Sequence, residues 1–151
     1  MARSSDALKG LEYKQAGSFA IVGSDSVSEY APKGDCEPLE PVADLRFALI
    51  ATSQRVRSVR SKARAGEPLR IGTSYPKTAG AVLASVGVNA VMDERTIVSG
   101  GVESLPWQPE RGVDALFELV QSGESLRQNR LEIVADGLAL VSLVKVTKNY
   151  Q

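Results

Sequence analysis

The chain has 151 residues, of which 43% are hydrophobic and 24% are charged, and its 18 Lys and Arg residues balance its 18 Asp and Glu residues. This length and composition are typical of one globular domain, and they exclude a disordered or fibrous chain. Because the formal net charge is zero, we expect neither nucleic acid nor an anionic membrane surface as a partner. The sequence has no apolar run long enough for a membrane-spanning helix and no secretory leader after Met1, so we expect a cytoplasmic protein.

The sequence contains no histidine and a single cysteine, Cys36. This excludes an internal disulfide, Ser-His-Asp triads, Cys-His pairs and the usual zinc sites. Any chemistry must therefore depend on carboxylates, hydroxyls, backbone amides and basic side chains, and we predict no protein-bound metal site.

In the first third of the chain, the sequence predicts short helices and strands and a long irregular segment. We predict a helix over residues 3–14, a buried strand over 19–22, a turn at 23–26 and a helix over 27–30. Four breakers, Pro32, Gly34, Pro38 and Pro41, then predict a loop over residues 31–44. An apolar run predicts a strand over residues 45–50, from which we expect Arg46 only to reach the surface.

A basic segment follows, and its charged residues are Arg55, Arg57, Arg60, Lys62 and Arg64. A run of this kind could contact phosphate. Because the net charge is zero and no aromatic residues are interleaved, we favour a solvated linker or helix face.

The second half of the chain alternates strands with short helices. We predict strands over residues 69–73, 88–92, 96–98 and 114–120, with a helix over 77–86 and an irregular stretch over 100–109. Two further strands, 131–134 and 138–146, are predicted to form a hairpin across Asp136-Gly137, a dipeptide that favours a hairpin turn.

This alternation predicts an α/β fold of two small lobes joined by two crossing strands. Residues 45–50 would leave the first lobe, and residues 138–146 would return to it. The first lobe would comprise residues 1–50 and 135–151, and the second residues 51–134.

The segment after the apolar strand 114–120 has the composition of a phosphate-binding loop. Gly123 would let the backbone approach an anion, and the hydroxyls of Ser122 and Ser125 could donate to its oxygens. Free backbone N–H groups at the start of the following helical turn would point to the same place. An ordinary strand-to-helix turn has a similar composition, so a purely structural interpretation also stays open.

The surrounding sequence resembles the phosphoribosyl pyrophosphate (PRPP) motif of the ATP phosphoribosyltransferase family. That motif has an acidic residue two places before a Val or Ile, then a variable residue, Ser/Thr-Gly-x-Thr-Leu and a short Asn-Gly-Leu. Here Glu118 takes the acidic place, residues 121–126 take the loop, and Asn129-Arg130-Leu131 takes the Asn-Gly-Leu, with Arg130 at the glycine.

The resemblance extends over nearly the whole chain. Arg3 and Asp6 match the family's Arg-x-x-Asp, and residues 20–25 resemble its Gly-Ile-x-Gly-x-Asp. Residues 70–76 resemble Arg-Ile-Ala-Thr-x-Tyr-Pro, and residues 100–103 resemble Gly-Ser-Val-Glu.

The resemblance implies a fold like that of type II periplasmic binding proteins and the transfer of phosphoribose from PRPP to N1 of ATP. This is the first step of histidine biosynthesis, and it releases pyrophosphate. Glu118 would accept hydrogen bonds from the ribose hydroxyls, and Mg²⁺ would neutralise the pyrophosphate. The 5′-phosphate would bind Gln121, Ser122, Gly123, Glu124, Ser125 and Leu126. The nucleotide-binding candidates would be Arg3, Asp25, Tyr75 and Glu103.

The resemblance also implies an oligomer, either of this chain alone or with a regulatory subunit resembling histidyl-tRNA synthetase. Nothing before Arg3 matches the family's N-terminal strand and Lys-Gly-Arg turn, so we expect a shortened copy with little or no activity alone. Glu124 would repel an anion unless its side chain turns to solvent, and Asp25 could instead cap a helix.

Two other functions stay open at this stage. One is a non-catalytic phosphate- or nucleotide-binding module derived from the same family. The other is a structural or nucleic-acid-associated protein that uses the basic segment, which the charge balance disfavours.

Overall fold

The computed structural model describes residues 19–30 and 34–148. The chain divides into two units, one of residues 1–43 and 141–151 and the other of Asp44–Leu140. The helix predicted over residues 3–14, and Arg3 with it, lies outside the described residues.

The described residues form six strands, four α-helices and two short 3₁₀-helices. The strands are β1 (Phe19–Gly23), β2 (Asp35–Thr52), β3 (Leu69–Gly72), β4 (Ala90–Val91), β5 (Ala115–Val120) and β6 (Leu131–Thr147). The α-helices include α1 (Ser24–Tyr30), α2 (Val56–Arg64), α3 (Pro76–Ser85) and α4 (Glu124–Gln128), and the 3₁₀-helices are Val102–Trp107 and Pro109–Arg111. The hydrogen-bonded strand order is β1-β6-β2-β5-β3-β4.

The smaller unit is built on the pairing of β1 with the end of β6. These strands are antiparallel, from Phe19 opposite Thr147 to Gly23 opposite Leu143. Among its described residues, one buried cluster contains Val22, Val144 and Val146, with Ala20 and Val27 packed against it.

The larger unit is organised around β5, which lies between β2 and β3. β5 is antiparallel to β2 and parallel to β3, and β4 adds to β3 in parallel. One buried cluster contains Ala48, Ile50, Val102, Leu105, Val113, Leu116, Val120, Leu126 and Leu131. This cluster joins the strand core to the 3₁₀-helix and to α4, so the elements around the end of β5 share one core.

The start of β5 is fixed by Asp114, which comes directly before it. The Asp114 carboxylate accepts from the backbone N–H of Arg70 at 2.9 Å and from the Arg55 guanidinium at 3.0 Å. Arg70 in turn pairs with Asp93 at 2.9 Å. Because these contacts come from two other elements, they hold β5 in one register.

Both β2 and β6 contain residues of each unit, so they are the two crossing strands, and the predicted α/β class is confirmed. The loop predicted over residues 31–44 was wrong, because β2 already begins at Asp35. Its first half is almost entirely exposed and carries Pro38 and Pro41, so it has neither the apolar periodicity nor the composition of a buried strand.

The hairpin predicted at Asp136-Gly137 was also wrong, because β6 runs without a break from Leu131 to Thr147. Gly137 does adopt a left-handed conformation, with φ 62°. One such residue bends a strand without reversing it, since a two-residue hairpin turn of this type needs positive φ at both central positions.

Two other predictions changed in detail. The strand predicted over residues 96–98 is reduced to a single bridge between Thr73 and Ile97. The basic segment forms α2, which buries Val56 and Val59, so it is a helix with one solvated basic face.

Arg130 gives a stability prediction, because it has φ 57° at the place of the family's glycine. A residue with a side chain is destabilised by roughly 1–2 kcal/mol in this left-handed region compared with glycine. Glycine does not recover the whole amount, because it also gives the unfolded chain more conformational freedom. We expect Arg130→Gly to raise the free energy of unfolding by about 0.5–1 kcal/mol, measured by urea denaturation. Arg127→Gly, inside α4, is the control and should lower it by about the same amount. A destabilised Arg130→Gly would contradict this interpretation.

Candidate phosphate-binding site

The candidate site is built on the last residues of β5. In the β2–β5 ladder Glu118 lies opposite Ala48, which is fully buried. Residues opposite one another in a ladder share a face of the sheet, so the small Ala48 leaves space for a longer side chain beside it. The apolar strand thereby carries a carboxylate into a partly buried position.

Burial, with a smaller contribution from the nearby Glu103 carboxylate, raises the pKa of Glu118 to about 7 against a backbone hydrogen bond that lowers it. That hydrogen bond is donated by the N–H of Leu119 at 3.1 Å. Glu103 belongs to the 3₁₀-helix Val102–Trp107. The structure thus brings two of the predicted site residues, Glu118 and Glu103, near one another. Near neutral pH, Glu118 can act either as a proton donor or as a proton acceptor.

The loop after β5 turns at Gly123, which has φ 76° and directly precedes α4. A Cβ added there would meet nothing within 4 Å, so the backbone conformation rather than crowding requires glycine. Ser122 Oγ accepts from the N–H of Glu124 at 3.3 Å. Leu126 is buried and anchors the loop in the core, whereas Ser122 and Ser125 are exposed. The loop therefore combines a fixed backbone with hydroxyls that reach solvent.

Glu124 turns along α4 rather than standing alone. Its carboxylate pairs with Arg127 at 2.8 Å, and both side chains are more than half exposed. An exposed pair of this kind adds little stability, but it balances the carboxylate charge beside the loop.

Arg46 is the functional candidate that the sequence analysis missed. Its Nη1 donates to the carbonyl oxygens of Gln121 at 2.6 Å and Val120 at 3.4 Å. Its Nε and Nη2 donate to the two carboxylate oxygens of Asp136 at 2.9 and 3.2 Å. The hydrogen bond from Arg46 lowers the pKa of Asp136. The one available signal was a single cation in an otherwise apolar strand segment.

The structure also describes the predicted residues Tyr75 and Asp25. Tyr75 meets the Phe47 ring edge-on at 5.1 Å, and Phe47 stacks on Phe117 at 4.7 Å, so Tyr75 packs on the core. Asp25 belongs to the smaller unit, where its carboxylate fills the space that a Cβ on Gly23 would need.

Within residues 19–30 and 34–148, no group of three or more Cys, Asp or Glu side chains is arranged to hold a metal ion. In that same part of the chain, no helix has both the length and the apolar character to cross a membrane.

Comparison with known proteins identifies the family. Residues 3–149 match the model of the HisG family, ATP phosphoribosyltransferase. The ATP phosphoribosyltransferase of Deinococcus radiodurans is 34% identical over 114 residues, which cover 76% of this chain and 46% of that protein. The enzyme of Burkholderia orbicola is 30% identical over 149 residues, which cover 97% of this chain and 64% of that protein.

The fold also matches that of a solved family structure. The ATP phosphoribosyl transferase (HisG:HisZ) complex from Thermotoga maritima superposes with a TM-score of 0.72 at 22% identity, over 98% of this chain and 67% of that chain. The chain belongs to the ATP phosphoribosyltransferase family, and it spans 46% of the Deinococcus radiodurans relative and 64% of the Burkholderia orbicola relative.

Glu118 makes stability depend on pH. Because its folded pKa of about 7 lies above the ordinary 4.5, the folded state binds the proton more tightly, and the free energy of unfolding falls as pH rises between these values. We expect Glu118→Gln to remove this slope and to be more stable than the parent at pH 8 by about 3 kcal/mol.

Chemical denaturation at a series of pH values measures this effect. Glu103→Gln should shift the slope to lower pH, since it removes a neighbouring negative charge. The control Glu132→Gln alters an exposed carboxylate and should leave the profile as in the parent. An unchanged profile in Glu118→Gln would show that Glu118 ionises as an ordinary surface carboxylate.

Proposed function

We propose that this chain, as a member of the ATP phosphoribosyltransferase family, binds PRPP and takes part in the transfer of its phosphoribosyl group to N1 of ATP. The reaction releases pyrophosphate and begins histidine biosynthesis. The observation that carries the proposal is the placement of the family's PRPP motif: its Ser-Gly-Glu-Ser loop follows a central buried strand that ends beside a partly buried carboxylate.

The loop supplies the groups that a 5′-phosphate needs. Ser122 and Ser125 have exposed hydroxyls, and hydroxyls donate readily to phosphate oxygens. Gly123, in its left-handed conformation, has no side chain to keep an anion away from the backbone N–H groups. With Glu124 paired to Arg127, the local charge is neutral rather than repulsive. We therefore assign the phosphate to residues 121–126.

Glu118 is proposed to bind the ribose. When ionised, its carboxylate accepts hydrogen bonds from the two ribose hydroxyls, and its partly buried position strengthens them. It would thereby orient the sugar so that the bond to pyrophosphate faces the incoming N1 of ATP. Its pKa of about 7 means that this acceptor is formed as pH rises through neutrality.

Magnesium is proposed to enter with the substrate. The described residues offer no three-ligand cage, which fits a cation held mainly by phosphate oxygens with one or two carboxylates. Glu118 and its neighbour Glu103 would supply those carboxylates. When bound, the ion neutralises the charge of the leaving pyrophosphate.

The nucleotide and partner assignments follow from the family. We propose Tyr75, Glu103, Asp25 and Arg3 as ATP-binding residues, and an assembly either of several copies or with a regulatory subunit resembling histidyl-tRNA synthetase. The Thermotoga maritima structure, a HisG:HisZ complex, supports the mixed assembly. A cytoplasmic location accords with such a biosynthetic role.

A second candidate is a phosphate- or nucleotide-binding module of this family without catalysis. Glu124 favours it, because a carboxylate at this position of the loop repels phosphate to the extent that Arg127 does not balance its charge. PRPP binding without turnover in the presence of ATP, Mg²⁺ and the regulatory partner would support this second function.

Loop variants test the phosphate assignment. Gly123→Val should weaken PRPP binding by at least about tenfold, since a β-branched residue resists φ 76° and hinders backbone approach. Glu124→Ala should tighten binding about two- to fivefold at low salt, because it leaves Arg127 as an unbalanced cation. Arg127→Ala should weaken it. Thermal-shift titrations with PRPP and Mg²⁺ measure these changes.

Gly66→Val is the matched control, because Gly66 also has positive φ, 71°, with open space around it, and it lies outside the motif. It should lower the melting temperature and leave the PRPP response unchanged. If neither the parent nor Glu124→Ala responds to PRPP, the phosphate assignment is wrong and the loop is an ordinary turn.

A further inference from the structure

We propose that Arg46 is the positioning residue of the phosphate loop, because its guanidinium holds the two peptide carbonyls that lead into the loop. The inference rests on the proposed phosphate-binding function and names a residue outside the PRPP motif. Arg46 lies on β2, directly opposite Val120, the last residue of β5. Its side chain therefore starts beside the point where the loop begins.

The contacts of Arg46 determine how the loop backbone faces. Nη1 lies 2.6 Å from the Gln121 carbonyl oxygen and 3.4 Å from that of Val120. A trans peptide is planar and points its N–H opposite to its C=O. By holding the Gln121 carbonyl, the guanidinium directs the N–H of Ser122 away from itself, and Ser122 is the first serine of the loop.

Asp136 on β6 locks the guanidinium in this orientation. The two carboxylate oxygens accept from Nε and Nη2 in a paired geometry that a lysine does not reproduce. Asp136 Oδ1 also accepts from the N–H of Gly137 at 2.7 Å, which fixes the carboxylate in turn. A third carbonyl, that of Asp44, lies 3.0 Å from Nη1.

These contacts distinguish a positioning role from an ordinary surface ion pair. The Arg46 side chain is only 21% exposed, and its donors serve β2, β6 and the loop at once. The charge of Asp136 balances that of Arg46, so the expected effect is on loop geometry more than on the attraction of phosphate. An isolated exposed ion pair would affect neither the geometry of the loop nor its attraction for phosphate by much.

The experiment measures PRPP affinity in the full chain with Mg²⁺ present, and amide hydrogen exchange at Glu124 and Arg127, whose N–H groups bond to Ser122 Oγ and to the Gly123 carbonyl and so report order in the loop. Arg46→Lys should raise exchange in the loop about tenfold and weaken PRPP binding about five- to tenfold, with smaller changes for Asp136→Asn. Exchange in β3 should stay as in the parent. Affinity is measured by isothermal titration calorimetry.

Arg55→Lys is the matched control, because Arg55 makes the same kinds of contact at the other end of β5. It donates to the Val113 carbonyl at 2.9 Å and pairs with Asp114 at 3.0 Å. The Arg55→Lys substitution should change neither loop exchange nor PRPP affinity. If the loop exchange of Arg46→Lys matches that of Arg55→Lys, or if their PRPP affinities match while the parent binds PRPP, the positioning role is overturned.

The two readouts separate this inference from the function on which it rests. A parent chain that does not bind PRPP refutes the proposed function, and with it the role of Arg46 in binding, whereas the exchange measurement still reports whether Arg46 orders the loop. Faster loop exchange in Arg46→Lys together with weaker PRPP binding supports both. A uniform rise in exchange over all strands contradicts the proposal, because it would show a general loss of stability.

Discussion

The pairing of β5 between an antiparallel and a parallel neighbour determines where the proposed ligand-binding residues lie. The register with β2 places Glu118 opposite Ala48 and Val120 opposite Arg46. A slip of one residue would turn Glu118 to the other face of the sheet and move the loop away from the Arg46 guanidinium. The hydrogen bond from the Arg70 N–H to Asp114, directly before the strand, opposes such a slip, so the register of β5 depends on both of its neighbours.

The same pairing explains why a carboxylate is tolerated inside the strand. Burying Glu118 disfavours its ionised form, and its raised pKa is the measure of that cost. A proposed ribose or magnesium ligand would relieve the cost by donating hydrogen bonds or by adding positive charge. The ionised form of Glu118 is therefore least stable when no ligand is bound. Carboxylates of this kind are common at functional sites and rare in purely structural strands.

The sequence predicted those parts of the fold that apolar runs and turn residues mark. The buried half of β2, β5 and α3 were found, because their apolar residues are continuous or periodic. The exposed half of β2 was missed, since Pro38 and Pro41 indicate a loop when no burial pattern opposes them. The motif gave the loop and Glu118 as candidates, which remain predictions, but Arg46 was not predicted, because a sequence does not show which backbone carbonyls a side chain reaches.

The departures from the family motif lie where the local structure already compensates for them. Glu124 is exposed and paired with Arg127 on the same turn of helix, so the charge it brings remains balanced. Arg130 has φ 57°, a conformation that glycine adopts more readily, and its carbonyl oxygen accepts from the N–H of Ser53 at 3.2 Å. Both departures place exposed side chains on the surface. Gly123, the buried Leu126 and, in our proposal, Arg46 set the shape of the loop, so its surface charge can vary independently of that shape.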